Sequence, residues 1–210
     1  MKPLSLIPTL LISFTLSTFG QNLLVNGGFE APITSDGAPF IGFWEGFSGG
    51  AGSSSANSSL NPRTGTQSLG LSIVSTPNTF AGAFQDVVVT SGLDYIFSGF
   101  HMTTTSPLQV GVEVRIEWRN SVGNNEVART PNSTPVPGAV YGPWSLQATV
   151  PAGADLARVV YAIQSFSTNP NGNGNVFVDD VSLSVVPEPS TMALLALGGL
   201  GLVVWRRCSR

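Results

Sequence analysis

Apolar and polar positions alternate with a period of two along most of the chain, in short runs. In Gln109–Trp118, Val110, Val112, Val114, Ile116 and Trp118 fall on one face, and Glu113, Arg115 and Glu117 on the other. Such alternation sends one set of side chains into a core and the other into water, as in a half-buried strand. Comparable β-rich runs occur at Leu69–Val74, Phe84–Val89, Tyr95–Met102, Glu126–Thr130, Trp144–Val150, Leu156–Gln164 and Asn175–Val185. Turn-forming triplets lie between them, among them Thr90-Ser91-Gly92, Gly123-Asn124-Asn125 and Pro151-Ala152-Gly153,. Between the two ends of the chain no segment sustains a 3.6 period. The pattern predicts an all-β fold, an antiparallel two-sheet sandwich. Ser48–Pro62, small and polar, and Pro131–Pro143, rich in Pro and Gly, read as surface loops,.

The ends differ from the middle. Lys2 precedes an apolar stretch, Leu4–Phe19, that closes on Gly20. One charge, an apolar centre and a small boundary residue predict a signal peptide over residues 1–20, cut near Gly20–Gln21. An uncleaved anchor is the other reading, and Pro3 and Pro8 weigh against it,. At the other end, Pro187-Glu188-Pro189 leads into the apolar run Met192–Trp205, then Arg206, Arg207 and Arg210. As a helix the run would cover roughly 21 Å at about 1.5 Å per residue, somewhat less than a ~30 Å hydrocarbon core. The arginines would remain cytoplasmic, placing everything before Ser190 outside.

A short Pro-Glu-Pro signature, an apolar transmembrane helix and a basic stop together resemble the PEP-CTERM tail of Gram-negative bacterial surface proteins. The resemblance implies export, a transient stay in the inner membrane, and recognition and removal of residues 187–210 by an exosortase-type enzyme. The cell surface or extracellular matrix would be the destination. A permanent anchor is the alternative.

Residues 21–186 are enough for one domain with a sizeable core. They hold eleven carboxylates against five arginines and no lysine, a balance of −6. Nucleic-acid binding draws on phosphate contacts from Lys and Arg, so that class of partner is excluded. The single cysteine, Cys208, lies in the tail. The exported domain is therefore stabilised by packing or by a metal, without a disulfide.

Several stretches occur in the order found in jelly-roll carbohydrate-binding modules with the galactose-binding-like fold. Asn22-Leu23-Leu24-Val25-Asn26-Gly27-Gly28-Phe29-Glu30 resembles their opening strand, and Gly65-Thr66-Gln67-Ser68-Leu69 a strand entry. Phe84-Gln85-Asp86-Val87-Val88-Val89 with Gly92 and Tyr95 resembles a hairpin of that family. Trp44, Trp144, Val150-Pro151-Ala152-Gly153-Ala154 and the closing Val178-Asp179-Asp180-Val181-Ser182-Leu183 complete the series. The resemblance implies a jelly roll over residues 21–186 with its first and last strands adjacent. It also implies a structural calcium, held by Glu30 with Asp179 or Asp180 and by backbone oxygens near Gly28 and Thr66–Ser68, since hard cations take several oxygens.

A glycan site needs an exposed aromatic platform. Tyr141 and Trp118 are the candidates, with Tyr161 and Trp144 behind them; Trp118 also ends an apolar face and so suits a core. Trp44 and Trp144 read as core. Catalytic hardware is thin. His101, the only histidine, sits in a strand-like run without a visible base partner,. Glu113 and Glu117 would stand ~13 Å apart on one strand, too far for a glycosidase pair. Gly172-Asn173-Gly174 leads into no helix that would cradle a phosphate,. Three functions remain open: a noncatalytic surface protein contacting extracellular polysaccharide, a structural or adhesive protein with no glycan site, and, less favoured, a carbohydrate-active enzyme.

Overall fold

The structure, a computed structural model, describes residues 20–74, 77–165 and 172–186. The expected signal peptide and the sorting tail with its helix lie outside the described residues. Residues Gln21–Val186 form one compact unit. Its strands in chain order are β1 (Glu45–Gly49), β2 (Ser53–Ser58), β3 (Ser68–Ile73), β4 (Phe80–Val88), β5 (Asp94–Thr103), β6 (Gly111–Asn120), β7 (Asn125–Arg129), β8 (Gly142–Thr149), β9 (Leu156–Gln164) and β10 (Gly174–Val185). They build two five-stranded sheets: sheet A in the order β1-β4-β9-β6-β7, and sheet B in the order β2-β3-β10-β5-β8. All pairings between strands are antiparallel.

The inner faces of both sheets supply one core. Val112, Val114, Ile116 and Trp118 of β6 meet Leu69, Leu71 and Ile73 of β3 and Val176, Val178 and Leu183 of β10 within it. Trp144 ties the layers, with its ring centroid 4.8 Å from Phe97 and 5.5 Å from Tyr161. Trp44 is buried as expected and donates its indole N–H to the Val25 carbonyl at 3.0 Å.

Two sequence expectations need correction. Ser48–Pro62 is not all loop, because Ser53–Ser58 forms the edge strand β2 against β3. Its small polar side chains give no alternation, and the ladder bonds come from the backbone, which side-chain pattern does not report. Conversely, Asn22–Glu30 is not a regular strand. It runs beside β10, with Leu23 N bonded to Leu183 O and Val181 N to Gly27 O. Asn26 and Phe29 take φ of 56° and 53°, a left-handed conformation that breaks a ladder,. Buried Gln85 fixes the segment instead, accepting from Val25 N and donating to Val25 O. The neighbour of the last strand is thus a pinned, bent segment, and the first regular strand, β1, belongs to the other sheet.

Candidate functional site

Strand register collects chemistry on the outer face of sheet A. Side chains alternate across each strand, so Phe80, Gly82, Phe84 and Asp86 of β4 point away from the core. Their cross-strand neighbours on β9 are Gln164, Ala162, Val160 and Arg158. Beyond those on β6 stand Gly111, Glu113, Arg115 and Glu117. On the other side β1 contributes Phe47, opposite Gly82, and Gly49, opposite Phe80.

This face has an aromatic half and a polar half. Phe47 lies 6.0 Å from Phe80 and 6.1 Å from Phe84, centroid to centroid, and Phe40 lies 5.0 Å from Phe84. Glycines let the rings lie against the sheet. A Cβ on Gly82 would come 2.5 Å from Phe47 Cζ, and one on Gly49 would come 2.6 Å from the tip of the Phe80 ring. The rings therefore occupy space that side chains would otherwise fill, and Phe80 remains 46% exposed.

The polar half is a row of paired charges. Arg158 holds Asp86 through two bonds of 2.7 and 2.9 Å and places its guanidinium carbon 4.0 Å from the Phe84 centroid,. Arg115 bridges Glu113 and Glu117, and Arg119 binds Glu117 at 2.9 Å. Gln164 donates to Glu113. Of the domain's five arginines only Arg63 stands elsewhere.

The residues expected to bind calcium, Glu30, Asp179 and Asp180, each bond to the loop 63–67 but do not meet at one point. Asp179 accepts from Arg63 N at 2.8 Å and Thr64 N at 3.1 Å. Asp180, at φ 49°, accepts from the Arg63 guanidinium and from Thr64 Oγ1. Burial pushes the Asp179 carboxyl above its usual range, helped by the neighbouring Asp180 charge. Its Oδ1, with that of Asp180, comes within 3.8 and 3.9 Å of a Cβ placed on Gly28, so a residue without a side chain leaves a cradle lined by two carboxylates. All four oxygens of the pair already accept a hydrogen bond, Asp179 Oδ1 from Asp180 N at 2.7 Å among them, and the Arg63 guanidinium supplies a positive charge beside Asp180. Glu30 faces differently. It accepts from Thr66 Oγ1 at 2.8 Å and from the N–H groups of Thr66 and Gln67 at 2.9 and 3.1 Å, bonds that hold its carboxyl below the ordinary range. Among the described residues no three His, Cys, Asp or Glu side chains gather as a metal cluster. A cation here would draw on Asp179, Asp180 and backbone oxygens, with Glu30 bracing the loop.

Neither predicted glycan platform is free. Trp118 is 3% exposed and packs in the core. Tyr141 is half-buried, its hydroxyl donating 2.6 Å to the Asn61 carbonyl, and desolvation pushes its pKa up to about 12. His101 is buried at a 2.7 Å hydrogen bond from Tyr161 Oη, and desolvation lowers it to about 4. Strand pairing, rather than any sequence motif, assembles the phenylalanines of sheet A. Their one signal is the period of two along Phe80–Val87, which sets Phe80, Phe84 and Asp86 apart from buried Ala81, Ala83, Gln85 and Val87.

Residues 185–207 match the PEP-CTERM protein-sorting motif. The chain carries a PEP-CTERM tail. That tail implies export, membrane-anchored sorting and processing by exosortase-type machinery. No curated protein matches the chain. Solved structures share the fold. The structure of TmCBM61 in complex with beta-1,4-galactotriose aligns with a TM-score of 0.52 at 14% identity, covering 79% of this chain and 99% of that one. A family 16 carbohydrate binding module aligns with a TM-score of 0.50 at 19% identity, over 77% of this chain and 99% of the module. The enzymatically active domain of tailspike protein 4 from Bacteriophage CBA120 aligns with a TM-score of 0.59 at 19% identity, over 79% of this chain. The chain spans only 21% of the tailspike's length. At these identities the likeness establishes the fold: a jelly roll of the carbohydrate-binding-module type.

Proposed function

We propose that this PEP-CTERM protein reaches the bacterial cell surface or extracellular matrix as a noncatalytic domain that binds extracellular polysaccharide on the outer face of sheet A. One observation carries the proposal: Phe47, Phe80 and Phe84 form an aromatic surface directly beside the hydrogen-bonding row Gln164, Glu113, Arg115 and Arg158. Sugars present apolar C–H faces and a hydroxyl rim. Rings serve the first by stacking, and fixed carboxylate, amide and guanidinium groups serve the second. The sharing of fold with carbohydrate-binding modules supports the same reading.

Catalysis fits this face poorly. Glu113 and Glu117 share one strand and both hold Arg115, and His101 is sealed in the core. A calcium ion at the Gly28 cradle, bound by Asp179 and Asp180, would supply charge neutralisation to the loop and no chemistry.

Co-sedimentation of residues 21–186 with the producing bacterium's own extracellular polysaccharide tests the proposal. Binding that is lost in Phe84→Ala and Phe80→Ala but kept in Tyr141→Phe supports it. Absence of binding leaves the purely structural or adhesive role.

A further inference from the structure

The outer face of sheet B carries a concavity of about 450 Å³ over β2, β3 and the start of β10. Register sets its rows. Ala56, Gly70 and Phe177 are neighbours across the three strands, and so are Ser54, Ser72 and Asn175 in the next row. The first row is a low, apolar floor and the second a rim of hydroxyl and amide groups. Nothing that lines the groove is ionisable, in a domain whose net charge is −6. The side chains of Ser54, Ser72 and Asn175 make no hydrogen bond to another described residue. Asn57 nearby is fully engaged with Ile33 N, Phe29 O and Ala31 O.

We propose that this groove is a second glycan site, selective for a neutral chain, and that the domain is therefore a bivalent polysaccharide cross-linker. Its volume falls within the roughly 300–1,000 Å³ of small-ligand pockets, where an apolar floor and a few convergent polar groups are the usual lining. An anionic ligand finds no cation here and a cationic one no carboxylate. A neutral, hydroxyl-bearing chain finds, at Ser54, Ser72 and Asn175, donors and acceptors that no other described residue occupies. The two outer faces lie on opposite sides of a sandwich whose sheets are ~10 Å apart, so both can be filled at once. Bridging converts weak single-site binding into avidity within a polymer network. The bivalence rests on the sheet A proposal for its first site; the groove does not.

The test uses ¹⁵N-labelled residues 21–186, the compact unit with its own closed core, titrated with β-1,4-galactotriose and with neutral xylan and glucan hexasaccharides. Amide shifts at Gly70, Ser72, Asn175 and Phe177 are expected with at least one probe. Ser72→Glu, checked for an unchanged melting curve, should weaken them on the order of tenfold or more by burying an unpaired carboxylate under the ligand. Gln147→Glu, on the distant strand β8, should not. Shifts confined to β4, β6 and β9 overturn the groove and leave the sheet A site standing. Shifts on β2, β3 and β10 alone support the groove and remove both the sheet A site and bivalence. Shifts nowhere overturn both sites. With both sites present, the domain should raise the viscosity of a soluble neutral polysaccharide, and either Ser72→Glu or Phe84→Ala should abolish the rise.

Discussion

Arg158 stands with its guanidinium carbon 4.0 Å from the centre of the Phe84 ring while its Nε and Nη2 donate to the two oxygens of Asp86. One side chain thus couples the aromatic half of the sheet A face to its charged half. Asp86 is 2% exposed, so its partner cannot be replaced by water. Arg158→Ala should destabilise the domain by about 3–5 kcal/mol, the cost of stranding a buried charge. Arg158→Leu combined with Asp86→Leu should recover most of that loss. Phe84→Ala should cost less stability yet remove polysaccharide binding. Urea titrations beside co-sedimentation check the split. Equal stability of the single and double Arg158 variants would show that Asp86 is not stranded.

How far the sequence led can be judged from particular residues. Val112 to Trp118 alternated cleanly, and β6 formed there because that pattern is a statement about burial. Ser53–Ser58 held no such information, since its place is fixed by backbone bonds to β3. Trp118 could serve a core or a platform by alternation alone, and packing put it in the core. The aromatic face was least legible. Phe80 and Phe84 share β4, but Phe47 reaches them only through the pairing of β1 with β4, and Phe40 only through a loop whose carbonyl accepts from Asp86 N. Period-2 pattern tells which side a residue faces and leaves the identity of its cross-strand neighbour open.

The His101–Tyr161 pair predicts a pH effect. Burial lowers His101 to about 4 from its ordinary 6.5. The unfolded chain takes up the proton near pH 6.5, and the folded domain only near pH 4. The contribution of neutral His101 to stability is therefore complete above pH 6.5, falls as pH drops through that window, and is gone below about 4. The shift corresponds to about 3 kcal/mol. His101→Gln should flatten the stability profile between pH 7 and 4 relative to wild type in denaturant titrations. Parallel profiles would show that the histidine does not titrate in this window.

The cradle at Gly28 predicts a response to calcium. A cation bound to the folded state alone raises stability by mass action, about 2.7 kcal/mol at a hundredfold excess over Kd. Calcium should raise the melting temperature of residues 21–186, and EDTA should reverse the rise. Asp180→Asn should blunt it. Glu30→Gln should lower stability with and without calcium alike, because Glu30 braces Thr66 and Gln67. A melting temperature indifferent to both calcium and EDTA would remove the metal and leave Arg63 as the loop's only cation.

We infer that processing of the tail takes place at the short peptide Pro187-Glu188-Pro189. Pro187 and Pro189 disfavour helix and bias their neighbours toward extended backbone. An extended segment exposes its peptide bonds to an enzyme, whereas a helix would hide them in its own hydrogen bonds. On that inference, the apolar run Met192–Trp205 and the cluster Arg206-Arg207 would set the depth at which the segment is held,. Glu188 is the one charged side chain between the two prolines and lies beyond the last strand, β10. Glu188→Ala should therefore stop tail removal while leaving the melting curve of the domain unchanged, and Arg206→Ala with Arg207→Ala should slow it by loosening the depth of insertion. Mass spectrometry of surface-released protein reads both. Wild-type protein should end near residues 187–190, and a released wild-type form that still contains Trp205 and Arg206 would show that the tail is a permanent anchor.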